Sequence, residues 1–272
     1  MKKIILFYVF LTLSTYSAYC GIVLKSETEY KTEKDKNKIE TTQYFEADYS
    51  RIETKVKFKD EKGKQEQNSV VIIRNDKKLI WTIIPEQKGY CEFSFEELKK
   101  YANSGSNLIP EGVKIPKDMK FEKTDKTEKI AGFLTTEYDF KKDKEKGKAW
   151  ITEDTKLKLI TEFYNNMLKA MGTNSSKTNG VSLKFESKAE EIVYNTEVKS
   201  VKFQENPKDI FELPRDYSKL NKDIWKEYQK NFDSSVIINQ FKNQITERAE
   251  NQVIDASKNA IQKGLKEIIG FK

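Results

Sequence analysis

Apolar and polar residues alternate through most of the chain, the period of a β-strand with one buried face. In residues 22–32, Ile22, Leu24, Ser26, Thr28 and Tyr30 share one side, and "KDKN" turns the chain. Further strands are expected at 39–47, 51–58, 69–74, 79–84 and 90–93, with the turn signals "DEKGK", "NDKK" and "PEQKG" between them. In 51–58, Ile52, Val56 and Phe58 alternate with Arg51, Glu53, Lys55 and Lys57, so that strand has one wet face. Strands resume at 120–124, 129–140, 148–152, 181–187 and 191–204. The stretch 129–140, "KIAGFLTTEYDF", reads as a single strand with aromatics on both faces and Gly132 inside it. A glycine there is expected to mark a bend or a close approach by a neighbour. The change of phase between Val198 and Val201 predicts a bulge near Ser200.

Three segments follow a helical period instead. "SFEELKKYANSG" offers Ser94 as an N-cap for a short helix to about Tyr101, followed by a loop to about Met119. "LKLITEFYNNMLKAM" (157–171) places Leu159, Ile160, Phe163, Tyr164, Met167, Leu168 and Met171 at helical spacing. From Ser218 onward apolar residues recur three or four apart, among them Phe241, Ile245, Ala249, Val253, Ala256 and Ala260, predicting one or two amphipathic helices. Many strands with few helices between them imply an antiparallel, strongly curved sheet. Its inner face must be covered by side chains, by helices or by a ligand.

The N-terminus modifies this picture. "MKKIILFYVFLTLSTYSAYCG" has two lysines, an apolar run too short to span a bilayer comfortably, then small and polar residues. It reads as a secretory signal over residues 1–20, so the protein is expected to be exported and to stay in the periplasm or tethered to an envelope membrane. Cys20 is a possible lipidation site, although Tyr19 makes "LSTYSAYC" a poor lipobox; if cleavage falls after Ala18, Cys20 is instead available to pair with Cys91. The net charge of +7 includes Lys2 and Lys3, and acids are mixed with lysines throughout. Nucleic acid is therefore not an expected partner. From Ser218 to the C-terminus ten basic residues face seven acidic ones. That excess is too small to argue for a membrane surface, and it favours core packing, an envelope partner or self-association through 218–272.

The 272-residue chain has no histidine, which excludes Ser-His-Asp and Cys-His catalysis and histidine-ligated zinc. Neither P-loop nor Rossmann glycine spacing occurs. The carboxylates of "EFSFEE" and "ITED" fall at a helix start and a turn, where solvated acids are expected. No catalytic residue, metal or cofactor is expected, and the chain reads as a non-enzyme. Its chemistry is aromatic: 16 Phe, 13 Tyr and 3 Trp. The candidate cavity lining is Phe45, Phe58, Trp81, Ile83, Phe133, Leu134, Tyr138, Phe140, Trp150, Phe163, Met167, Phe185 and Phe203.

Five phrases occur in order: "YFEADYSRIET", "IIRNDKKLIWTIIPEQKGYCEF", "EKIAGFLTTEYDF", "KAWITED" and "DIFELPRDY". The series resembles a family of uncharacterised bacterial envelope proteins grouped with the LolA-like lipoprotein carriers, and the resemblance covers residues 21–217. It implies a mainly β fold, an unclosed antiparallel half-barrel with a helical lid, the C-terminal amphipathic helices of 218–272 lying beyond it. The lid would be residues 94–119 and 157–171. The implied ligand is a lipid or a lipoprotein acyl chain, and the resemblance carries over no catalytic set.

Overall fold

The computed structural model describes residues 21–31, 36–60, 63–104, 120–142, 145–171, 180–189 and 192–224. The expected signal, Cys20 and the amphipathic stretch after Ile224 lie outside the described residues.

Alternation at this length is a strand signal, and the chain answers it with one twelve-stranded sheet. The strands are β1 (Gly21–Lys31), β2 (Lys36–Phe45), β3 (Tyr49–Asp60), β4 (Gly63–Arg74), β5 (Leu79–Ile84), β6 (Gly89–Ser94), β7 (Lys120–Ile130), β8 (Phe133–Lys142), β9 (Glu145–Thr152), β10 (Val181–Ala189), β11 (Ile192–Gln204) and β12 (Ser218–Lys219). Their order across the sheet is β12-β6-β5-β4-β3-β2-β1-β11-β10-β9-β8-β7. Every pairing is antiparallel except the short one of β12 with β6. The chain lays down β1 to β6 outward, crosses to the far edge at β7, and returns until β11 lies beside β1. The two end strands do not pair, so the sheet is an open half-barrel. Both edges are blunted. The β7 edge carries "KFEKTDKTEK", and three of its residues bulge between Lys123 and Thr127, while β12 has only two residues.

The predicted bulge in β11 is present: Lys25 faces Ser200 and Ser26 faces Val198, which leaves Lys199 as the extra residue. The stretch 129–140 is a correction. It is not one strand, because β7 ends at Ile130 and β8 starts at Phe133. Ala131 (φ 48°) and Gly132 (φ 92°) form the two-residue turn between them. Left-handed backbone at both positions suits the right-handed twist of a hairpin, and glycine adopts it without strain. A side chain at Gly132 would meet nothing within 4 Å, so the glycine serves the turn and not a close approach.

Among the described residues, two α-helices pack on the sheet. The first, α1 (Phe95–Ser104), begins with a reciprocal cap: the Ser94 hydroxyl accepts from Glu97 N (3.1 Å), and Glu97 Oε2 accepts from Ser94 N (2.8 Å). The second, α2 (Lys158–Ala170), follows a 3-10 turn, Thr155–Leu157, capped by Asp154 through Lys156 N. Ile160, Phe163, Tyr164, Met167 and Leu168 on α2 are buried against Ile22, Leu24, Phe45, Ile52, Val71 and Ile73. This is the main core, and it lies on the concave face.

The other face is polar over β1 to β4, where Lys38–Glu27, Lys55–Glu66 and Lys57–Glu40 pair. Near β3 to β6 it is crossed by a strap, residues 205–217. Asn206 Nδ2 donates to Phe45 O (3.3 Å), and Arg51 NH1 donates to Ile210 O (2.9 Å). Phe211 is buried beside the Tyr49 ring, 5.7 Å between centroids.

Candidate functional site

Directly paired residues of neighbouring strands share a face, so the registers define the concave surface row by row. Nearest α2, Ile73, Ser50, Phe45, Ile22 and Phe203 form one row, and Val71, Ile52, Gln43, Leu24 and Val201 the next. The third row is Ser69, Thr54, Thr41, Ser26 and Val198. Ile39, Thr28, Thr196, Phe185, Ala149 and Tyr138 make the fourth. The fifth runs Tyr30, Tyr194, Ser187, Gly147, Phe140 and Phe121.

The face therefore changes character along the strands. Near α2 it is apolar, and Phe45 meets Phe163 and Tyr164 edge-on at 5.7 and 5.8 Å. Its middle is a band of hydroxyls and one amide: Ser26, Thr28, Thr41, Gln43, Thr54 and Ser69, all buried. Beyond the band, on β7 to β10, it is aromatic again. Phe140 stacks on Phe185 (4.9 Å, 16° between planes) and tilts against Phe121 (5.5 Å). Gly147 allows this stack, since a Cβ there would lie 2.6 Å from the Phe140 ring and 2.0 Å from Glu186 O.

The expected lining residues divide accordingly. Phe45, Phe133, Trp150, Phe163 and Met167 belong to the main core, Phe133 and Trp150 from the side of β8 and β9 opposite to Tyr138, Phe140 and Ala149, and Phe140 and Phe185 belong to the aromatic cluster. Tyr138 is half-buried opposite Ala149. Trp81 and Ile83 are a correction: they lie on the convex face with Ile72, under Leu213 and Tyr217 of the strap. On β5 the inward phase belongs to Ile80, which faces Ile73 and Phe93 and packs on the main core. Both faces of β5 are apolar because strap and core each cover one, so alternation could not choose between them. Leu134 and Phe203 are exposed, at 67% and 45%, and Phe203 keeps one ring contact, with Phe133 at 6.4 Å. Phe58 faces Gln65, and its side chain is outside the described residues.

The hydroxyl band was not among the expected site residues. Its signal was present in β1, where Ser26 and Thr28 continue the inward phase of Ile22 and Leu24. Two buried hydroxyls on this face, Ser50 Oγ and Ser69 Oγ, have no hydrogen-bond partner among the described residues. An unsatisfied buried hydroxyl carries a desolvation cost with no return. Ser50→Ala is accordingly expected to leave stability unchanged or raise it by up to about 1 kcal/mol in urea denaturation.

The clustered carboxylates are engaged in structure. Glu92 accepts from Trp81 Nε1 (2.9 Å) and Lys219 Nζ (2.7 Å), and Glu97 caps α1 and pairs with Lys222. The lysine partners hold both carboxyls below the usual carboxylate range, led by Lys219 for Glu92 and Lys222 for Glu97. Depressed values mean that the stabilisation is present above the unfolded value, near 4.5, and is lost as pH falls through the lower folded values. Residues 218–224 should therefore loosen below about pH 4. The check is the amide protection factor of Leu220, whose N–H bonds Tyr90 O at 2.8 Å. Cys91 is fully buried, and its thiol donates to Asn221 O at 3.7 Å. Among the described residues no cluster of three metal-ligating side chains occurs, and no helix is long and apolar enough to cross a membrane.

Comparison with known proteins adds a family and faint structural likenesses. The family model of a domain of unknown function, DUF4412, matches residues 27–217. No curated protein matches the chain. Among solved structures, PNGF-II is 12% identical with a TM-score of 0.38 over 76% of this chain and 32% of its own. This chain thus spans about a third of that protein. The MucA/MucB complex of Pseudomonas aeruginosa gives 9% identity and a TM-score of 0.35 over 72% and 56% of the two chains. A domain assigned to outer membrane lipoprotein sorting from Vibrio parahaemolyticus gives 8% and 0.31 over 75% and 94%. Likenesses this faint carry no argument; the open sheet and its helical cover define the fold.

Proposed function

The chain belongs to the DUF4412 family of unknown function, and on that premise we propose that it is a non-enzymatic, exported protein of a bacterial envelope. Its concave face holds a hydrophobic ligand, a lipid or lipoprotein acyl chain. The supporting observation is the aromatic cluster of Phe121, Phe140 and Phe185, which by register continues the row of Thr28 and Thr196 and stands apart from the α2 core. An acyl chain gains ~0.8 kcal/mol per buried methylene, so sixteen carbons contribute roughly 12 kcal/mol before ordering costs. A cover that must be displaced is what makes such cargo releasable.

The test is mass spectrometry of solvent extracts from protein purified from its own envelope, with displacement of a fluorescent fatty acid in vitro. Acyl species at near-stoichiometric amount are expected, and Phe185→Glu should weaken fatty-acid binding at least tenfold. Absence of lipid together with no displacement would overturn the reading. A second reading, an envelope scaffold whose face is filled from within, is favoured by the burial of the hydroxyl band in the chain alone. It predicts association with an envelope partner or another copy through residues 218–272, and no extractable lipid.

A further inference from the structure

A serine or threonine flush on a sheet cannot hide itself; something must be packed over it. Ser69, Thr54, Thr41, Thr28 and Ile39 are each at most 3% exposed. Among the described residues two helices cover this face: α2 packs against β1 and β2 at the Ile22, Leu24 and Phe45 end, and α1 adds Phe95 and Leu98 to the same core. The band beyond needs another cover.

The last described residues point to it. Beyond β12 the chain runs onto the concave side of the edge strand β6. Cys91 and Phe93 share the inward phase of Thr82 and Ile80, and the thiol of Cys91 bonds Asn221 O while the Lys222 ammonium lies 5.3 Å from the Phe93 ring. Leu220 packs where a Gly89 side chain would stand, its Cδ1 2.4 Å from that position. Asn221 then starts a helical turn, its Oδ1 accepting from Asp223 N (3.0 Å) and its carbonyl from Ile224 N (3.0 Å). The described chain thus ends in a helical turn on the inner side of β6.

We propose that residues 225–272 seat on the hydroxyl-banded part of the concave face and compete there with the ligand. As helix the segment would measure about 70 Å at 1.5 Å per residue. The sheet from β6 to β9 spans about 40 Å at 4.8 Å per strand, so the segment can cross it. Its chemistry fits as well. The stripe Phe241, Ile245, Ala249, Val253, Ala256 and Ala260 carries small residues that permit close approach, and Gln244, Gln252 and Asn259 flank it with amides. Side-chain amides both donate and accept, as a band of hydroxyls requires. Occupancy stands independently of the acyl-chain reading; only the competition rests on it.

The full-length chain carrying Ser69→Cys tests the seating. The new thiol should resist maleimide, and adding Phe241→Asp with Ile245→Asp should raise its labelling rate at least tenfold. Rapid labelling without the aspartates, or the same slow rate with them, would overturn the proposal. A benzophenone side chain replacing Phe241 gives a second measurement without charge. Cross-links within one chain to β1–β4 or β9–β10 peptides support the seating; dimeric cross-links or links elsewhere overturn it. Hexadecanoic acid should reduce the intrachain yield. An unchanged yield with the acid present would still support the seated segment and would count against the acyl-chain reading alone.

Discussion

Phe45→Ala is expected to cost about 4 kcal/mol of unfolding free energy, within the range found for emptying a phenylalanine site in a packed core. Phe45 is fully buried and ends β2 beneath α2, with two aromatic rings edge-on to it. Its removal leaves a void bordered by the sheet on one side. On the other stands a helix pinned in place, because Asn75 Nδ2 donates to Phe163 O at 3.1 Å. Helix and sheet therefore cannot close fully on the void, and the cost falls toward the high end. In a domain of this size the melting temperature should drop by roughly 10 °C. Phe45→Leu, which keeps most of the volume, should cost less than half as much. Urea denaturation followed by circular dichroism measures both. If Phe45→Ala cost under about 1 kcal/mol, α2 would be a loosely held cover and not part of the core.

That contrast bears on what the sequence could disclose. Strand alternation placed β2, β3 and β6 because buried and more exposed positions alternate along them, and helical spacing placed α2 because its apolar stripe meets a single surface. The turn at Ala131 and Gly132 was hidden inside a continuous alternation. An alanine gives no turn signal, and Phe133 resumes an apolar pattern at once. Trp81 and Ile83 misled for a different reason. A strap distant in sequence, Leu213 and Tyr217, makes the convex face of β5 apolar too, and no local period reveals which of two covered faces is concave. The hydroxyl band was legible only as an oddity, since Ser26 and Thr28 look like surface residues until the register sets them beside Thr41 and Thr196. Arg74 gave no sign at all, for a buried arginine is defined by partners that the fold brings to it.

Arg74→Met is expected to cost about 3 kcal/mol, the low end of the range for breaking a buried ion pair. Arg74 is 5% exposed at the end of β4. Its guanidinium makes a two-pronged contact with Asp76 (2.9 and 2.7 Å), pairs with Glu212 and donates to Phe211 O at 3.4 Å. It also lies 4.6 Å from the Tyr49 ring centroid and 5.8 Å from that of Trp81. One side chain thus holds a hairpin end, the strap and two aromatic rings together. Methionine keeps most of the apolar volume, so the loss reports the polar contacts. The cost stays at the low end because the carboxylates left behind, 32% and 53% exposed, can regain water. Arg74→Lys should recover little, since an ammonium cannot reproduce the fork. Acid gives the second readout. The Arg74 hydrogen bonds hold the Asp76 carboxyl below its ordinary value of 3.8. Their stabilisation is therefore complete above that pH and is lost as pH falls through the lower folded value. The difference between wild type and Arg74→Met should be constant from pH 6 to about 5 and shrink below about 4. A gap that did not shrink in acid would mean that Arg74 acts through packing and not through its ion pair.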